Sequence, residues 1–250
     1  MSAVQETAYP RFRTEISQHE LDTVYTPTAD ERRWARQAKQ PLQRFFLLLH
    51  LKAFQKLGYF MPSETLPVDL VRHVGHCLGL KKPPSKTQLK QYDRSGARNR
   101  HVGWIREYLG IRSLETKDRT WLANLALKAA ESREVPADII NILLEELVRH
   151  RFELPGFSVL LRYAKEARAA INDRCYRALV SDLGRPGKGL INTLLTAPRG
   201  NTLSGWQRLK REPRKPTNKE IRSYLQHLKW LKGMADQLPT IQALPVAKRH

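Results

Sequence analysis

Apolar residues along this chain recur at spacings of three and four, the period of an amphipathic helix, in nearly every segment. No stretch alternates strictly enough to predict a strand, so the expected fold class is all-α. The opening to about Thr26 is polar and reads as irregular. Thr28-x-x-Glu31 has the form of a capping box and predicts a first helix over Ala29–Lys39. Pro41 suits the first position of the next helix, Pro41–Leu57, which ends at Gly58. Its sequence, PLQRFFLLLHLKAFQKL, is apolar around most of the circumference, the mark of a central core helix. Pro67 opens another helix that closes at Gly79.

The segment after it is polar and basic, yet still periodic. Ser85 is placed to cap a short helix over Thr87–Arg94. Ser95-Gly96 makes a tight turn, and a second helix runs from about Ala97 to Leu109, with Gly110 as its stop. Val102, Ile105 and Leu109 share one face of that helix, and Arg100, Gly103, Trp104 and Glu107 lie on or near the other. Two helices around a glycine-containing turn follow the plan of a helix-turn-helix. A second helix that is apolar on one side and basic near its N-terminal end suits a DNA groove. A helical hairpin with a solvated basic face fits the same pattern.

Further on, Asp118–Glu131 and Pro136–His150 read as amphipathic scaffold helices of low net charge. RFELPGF at Arg151–Phe157 breaks the periodicity, which places a domain boundary there and predicts two domains, 1–150 and 151–250. Ser158–Leu183 reads as one long helix ended by Gly184, with a shorter one over Lys188–Thr196. Ser204 caps Gly205–Arg211, and Thr217-x-x-Glu220 opens a helix to about Met234. Pro245 looks like the start of another helix that is then cut off.

Charge changes the picture. The net charge is +20 and the sequence pI about 10.3, an excess that repels itself unless a polyanion neutralises it. Nucleic acid is the first candidate and an anionic membrane surface the second. The excess has two foci. Lys81–Arg112 holds nine Lys and Arg against two acids, and Trp206–Arg222 holds seven against two. Each lies beside a short helix and a turn, which suggests two adjacent footprints on a long polyanion. A solvated face with a flexible basic linker is the plainer account of the second. An all-α RNA-binding or ribosome-associated protein is the alternative class, although no RNA-module signature is present.

Candidate chemistry adds little. Cys77 and Cys175 are far apart and form no CxxC, so two reduced thiols are expected and a zinc finger is not. His73 and His76, three apart beside Cys77, have ligand-like spacing, but that face carries Val71, Val74 and Leu78. Glu145-Glu146 has no partner pattern, and GRPGKG at Gly184–Gly189 lacks the form of a phosphate loop. No catalytic residue, cofactor, metal or small-molecule substrate is expected. The N-terminus has no signal-peptide pattern, and the longest apolar patch, Phe45–Leu49, is too short to span a bilayer. The expected location is the cytoplasm.

An ordered set of segments carries a resemblance. It comprises FRTEISQHELDTVYTPTADE near the start, LKAFQKLGYF at Leu51–Phe60 and LPVDLVRHVGHCLGL at Leu66–Leu80. QYDRSGARNRHVGWIREYLGIR at Gln91–Arg112 and LPGFSVLLRYAKEAR at Leu154–Arg168 follow, then SGWQRL at Ser204–Leu209 and the Leu228–Met234 helix. Together these resemble the N-terminal region of the Tn-three family of replicative bacterial transposases. The resemblance implies tandem helical DNA-binding domains that recognise terminal inverted repeats. It implies a first module containing Tyr92, Arg94, Arg98, Arg100, His101 and Arg106. Charge adds Lys86, Lys90 and Arg112 to it. It puts Ser204, Trp206, Arg208, Lys210 and Arg211 in or near a second module, which charge extends to Arg214 and Lys215. Family members are several times longer and carry DDE carboxylates in a C-terminal RNase-H-like domain that this sequence does not contain. The expectation is therefore a fragment or truncated product that binds transposon ends and does not itself cut or join DNA, with possible self-association through the missing C-terminal regions.

Overall fold

A computed structural model describes residues 5–196, 204–210, 212, 215 and 217–236. Among these the regular structure is helical, with no strand and a single isolated bridge between Arg112 and Phe152. The chain divides into two compact units, Met1–Ala129 with Val135–Glu166, and Ala130–Glu134 with Ala167–His250.

The first unit is built around one helix. A short turn α1 (Gln18–Glu20) and α2 (Ala29–Trp34) precede α3 (Pro41–Leu57), and α4 (Val68–Cys77) follows it. From Phe45 to Phe54 every side chain of α3 is buried, so the helix has no solvent face over nearly three turns. Gly58 ends it in the left-handed conformation at φ 74°, where a β-carbon would also stand only 3.0 Å from the Leu154 side chain. Burial all round traps two polar residues. Lys52 reaches Glu31 of α2 at 3.2 Å and 3.3 Å, and Gln55 donates to the same carboxylate at 2.7 Å. Glu31 also closes the capping box on Thr28. The other trapped residue is His50, whose Nε2 lies 2.8 Å from Ser63 Oγ.

The chain outside α3 differs from expectation at its start. The opening is not irregular to Thr26: Ser17 caps α1, which runs into a π-helical turn, Leu21–Tyr25. Ile16, Leu21 and Tyr25 drive this by entering the core. They are spaced too widely in a polar stretch to show as periodicity. The helix foreseen over Ala29–Lys39 is α-helical only to Trp34 and tightens to a 3₁₀ turn over Ala35–Gln37. Arg44 holds that end by donating to the carbonyls of Ala38 and Lys39.

The basic segment forms α5 (Lys86–Asp93) and α6 (Gly96–Leu109), capped by a reciprocal Ser85–Gln88 box at the start and by Gly110 at φ 63° at the end. Its turn is pinned to the core. Ser63 donates to Asp93 Oδ1 at 2.9 Å, and Arg98 stands 3.3 Å from the same oxygen. With the Ser63 proton committed to Asp93, His50 Nε2 must be the donor to Ser63 Oγ. Tyr92 stacks on Phe46 of α3 at 4.0 Å between ring centroids, and its hydroxyl lies 2.9 Å from His101 Nδ1. Helices α7 (Thr116–Ser132) and α8 (Pro136–Arg149) follow. The bridge at Arg112 and Phe152 ties the exit of α6 to the exit of α8.

In the second unit, α9 (Phe157–Leu195) contributes its residues from Ala167 onward. Its helical geometry is interrupted at Gly184, at φ 56° and ψ −170°, a conformation essentially confined to glycine. That matches the stop foreseen at this residue. Arg168 pairs with Glu134 and Arg174 with Glu131. Short α10 (Gly205–Leu209) starts at a Ser204–Gln207 capping box, and α11 (Asn218–Ala235) starts at a Thr217 cap. No helix among the described residues is long and apolar enough to cross a membrane.

Two outcomes test this packing. Glu31→Ala leaves Lys52 charged and buried without a partner, so urea denaturation should show a loss of about 3–5 kcal/mol. A change under 1 kcal/mol would contradict the enclosure of α3. The second outcome concerns pH. Burial pushes both His50 and His101 down to about 4, with neighbouring positive charge, chiefly Arg98 for His50 and Arg100 for His101, acting in the same direction. An unfolded histidine takes up its proton near pH 6.5, so between there and 4 the unfolded chain binds more protons than the folded one. Stability therefore falls as pH falls, by roughly 2 kcal/mol per histidine between pH 7 and pH 5. Urea midpoints that stay flat over that interval would show that these imidazoles are not held neutral.

Candidate nucleic-acid interface

The α5–α6 hairpin sorts its charged residues by helical phase. On α6, His101 and Ile105 are fully buried, and Val102 and Leu109 are partly so. The opposite row, Gly96, Arg100, Gly103 and Glu107, is exposed. Asn99 flanks it and is exposed too. Lys86, Lys90 and Arg94 of α5 and its C-cap are exposed. None of Lys86, Lys90, Arg94 and Arg100 has an ion-pair partner among the described residues. The exposed Lys81 and Lys82 lead into the same hairpin.

Other residues foreseen for this site are engaged within the protein. Tyr92 and His101 are buried and bonded to each other, and burial pushes the Tyr92 phenol far up. In this conformation neither presents an edge to a ligand. Arg98 faces Asp93 at the hairpin turn. Arg106 donates from both Nε and Nη2 to Glu153, at 2.9 Å and 2.6 Å, so much of its charge is neutralised. Arg112 is exposed but lies over the Phe152 ring at 4.4 Å. Asn99 carried no signal in charge or apolar periodicity; only the helical phase that exposes Arg100 and Gly103 brings it forward.

The second focus is held by cation–aromatic contacts. Arg208 of α10 lies over Trp230 of α11 at 4.3 Å, and Lys210 lies 5.6 Å from the centroid of Trp206. Such contacts contribute on the order of 0.5–1 kcal/mol at exposed sites while leaving the cation's outer side in water. Trp206 is half exposed, Ser204 is used as the cap, and Lys215 is exposed. Arg211 and Arg214 lie outside the described residues. A groove of about 840 Å³ beside these contacts is lined by Leu190, Leu194, Gly205, Arg208, Trp230 and Met234.

No group of three or more His, Cys, Asp or Glu among the described residues is arranged to hold a metal ion. His73 instead approaches Thr26 at 2.8 Å and Cys77 at 3.6 Å. The chemistry available to the exposed face is that of hydrogen-bond donors and positive charge, which suits phosphate oxygens and base edges.

The chain is 26% identical over 214 residues to the transposase for transposon Tn501 of Pseudomonas aeruginosa, covering 85% of this chain and 21% of that protein. It is 26% identical over 175 residues to the transposase for transposon gamma-delta of Escherichia coli (strain K12), covering 68% of this chain and 17% of that protein. The matched part therefore spans about a fifth of each of these curated relatives. The chain is similar to the N-terminal region of Tn-three family transposases, as its ordered segments suggested. A family model described as a domain of unknown function, DUF4158, matches residues 1–167, two thirds of the sequence, and the chain belongs to that family.

Proposed function

We propose that this chain binds duplex DNA at transposon terminal inverted repeats and acts in DNA transposition as a binding part of a transposase, without catalysis of its own. The first module is the α5–α6 hairpin, and the second is α10 with its basic flanks. The observation that carries the reading is the set of four exposed, unpaired cations, Lys86, Lys90, Arg94 and Arg100, on a hairpin whose turn is locked to the core. Similarity to two transposases supports it. Rigid elements place such charges more accurately than loops do, which favours recognition over simple neutralisation.

On this reading α5 and the turn grip phosphates, and α6 lies in the major groove with its exposed row inward. Buried Tyr92 and His101 and ion-paired Arg98 and Arg106 serve the frame that aims α6. The second module binds an adjacent stretch through Trp206, Arg208, Lys210 and Lys215. Two linked footprints raise the overall affinity through effective concentration alone.

The test is a fluorescence-anisotropy titration of the full chain over a salt series. Its probes are a duplex carrying the terminal inverted repeat that flanks the chain's own gene, a scrambled duplex and a structured RNA. The repeat should be preferred to the scrambled duplex by about a thousandfold, the low end for specific binders. Replacing Lys86, Lys90 and Arg94 together with Ala should weaken binding to both duplexes. It should also lower the slope of log affinity against log salt by roughly 0.9 for each phosphate that is no longer neutralised. Tighter binding to the RNA than to either duplex, or an unchanged salt slope in the triple variant, would overturn the assignment.

A further inference from the structure

The exposed row of α6 contains a residue that nothing inside the protein explains. Gly103 lies in the middle of a 14-residue helix, in ordinary helical conformation and facing solvent. A β-carbon built there meets no atom within 4 Å, so packing does not require glycine. Its φ is not positive, so backbone geometry does not require it either. A mid-helix glycine nonetheless weakens the helix, by roughly a factor of five in its folding equilibrium relative to alanine. What glycine offers at such a site is close approach of another molecule to the helix backbone.

The residues around Gly103 indicate what approaches. Arg100 and Asn99, one turn before it, are exposed and have no partner among the described residues. The Arg100 guanidinium reaches back over Gly96, with Nη1 4.0 Å from where a β-carbon would stand, so it too lies along a bare stretch of backbone. Further along the helix the character changes. Glu107 is next in the row and repels phosphate, while Trp34 of α2 stacks on Tyr108 at 4.4 Å and covers that flank. Contact is thereby confined to the N-terminal half of α6, the half a recognition helix presents to bases. A-form RNA keeps its major groove too narrow for side chains, so duplex DNA is the partner that fits.

Resting on the DNA-binding proposal above, we infer that the floor of a DNA major groove closes against the α6 backbone at Gly103, where Asn99 and Arg100 read base edges. Arginine pairs in bidentate fashion with guanine and asparagine with adenine, so the site carries the chemistry for a purine-rich step. Lys86, Lys90 and Arg94 hold the flanking phosphates and are indifferent to sequence.

The experiment compares wild type, Gly103→Ala, Arg100→Ala and the Lys86/Lys90/Arg94 triple variant on the repeat and scrambled duplexes, with thermal melting beside each titration. Gly103→Ala should melt about 2–4 °C higher, since it relieves a helix weakness. It should also bind the repeat at least tenfold more weakly and bind the scrambled duplex unchanged. A purely structural role for Gly103 cannot produce greater stability together with weaker recognition. Arg100→Ala should lose discrimination at one base pair, by about 5- to 150-fold. If wild type prefers the repeat and the triple variant is weakened, but Gly103→Ala binds the repeat as wild type does, the close approach is wrong and the DNA-binding proposal survives. If wild type binds neither duplex, that proposal fails and the inference falls with it. Equal binding to both duplexes removes base reading and overturns the inference together with the repeat specificity proposed above, while duplex-DNA binding itself stands.

Discussion

A helix buried on every side must be enclosed, and in the first unit everything else follows from how α3 is enclosed. Its ten consecutive buried residues include a lysine and a histidine, and these two decide which elements wrap it. Lys52 fixes α2 through Glu31. His50 fixes the Ser63 turn, and Ser63 fixes Asp93 at the junction of α5 and α6. Apolar burial supplies the bulk of the driving force but has no direction. The two polar chains supply direction, because a buried polar group left unpaired is strongly unfavourable.

The same constraint divides the basic hairpin into two populations of charge. Arg98, Arg106 and Arg112 face inward or sideways and are taken up by Asp93, Glu153 and the Phe152 ring. Lys86, Lys90, Arg94 and Arg100 face outward and find nothing within the described residues. A hairpin with all its cations paired would be a structural element. One with all of them free would be a solvated surface with no fixed aim. The mixture fits the proposed DNA-binding reading, in which inner charges set the pose and outer charges meet the ligand.

The second unit uses weaker devices. Its α10 is a single turn held by a capping box and by arginine over tryptophan, so little apolar surface fixes it. Part of α9 there is balanced by ion pairs with Glu131 and Glu134. These are exposed or partly exposed pairs, each contributing at most about 1 kcal/mol. Tryptophan and arginine together form a surface that is both apolar and cationic, a combination that also stacks against nucleic acid bases and backbone.

Much of the helical plan was legible in the sequence because its signals are local. Pro41 and Gly58 bracket α3, Ser85 and Gly110 bracket the hairpin, and Gly184 interrupts α9 where a stop was expected. Capping and left-handed stops depend on three or four neighbouring residues and are readable without the fold. The π-helical turn at Leu21–Tyr25 was not legible, because its cause is burial against distant parts of the chain. For the same reason the basic stretch could be proposed as a site while its members could not be sorted into buried and exposed. Tyr92 and His101 sit nine residues apart among cations, and only the packing of the α5–α6 hairpin against the core turns both inward. Sequence alone determined the helices, the charge and the family resemblance. Tertiary structure alone decided which charges are spent on Asp93 and Glu153 and which remain outward, since pairing depends on three-dimensional distance and not on position in the chain.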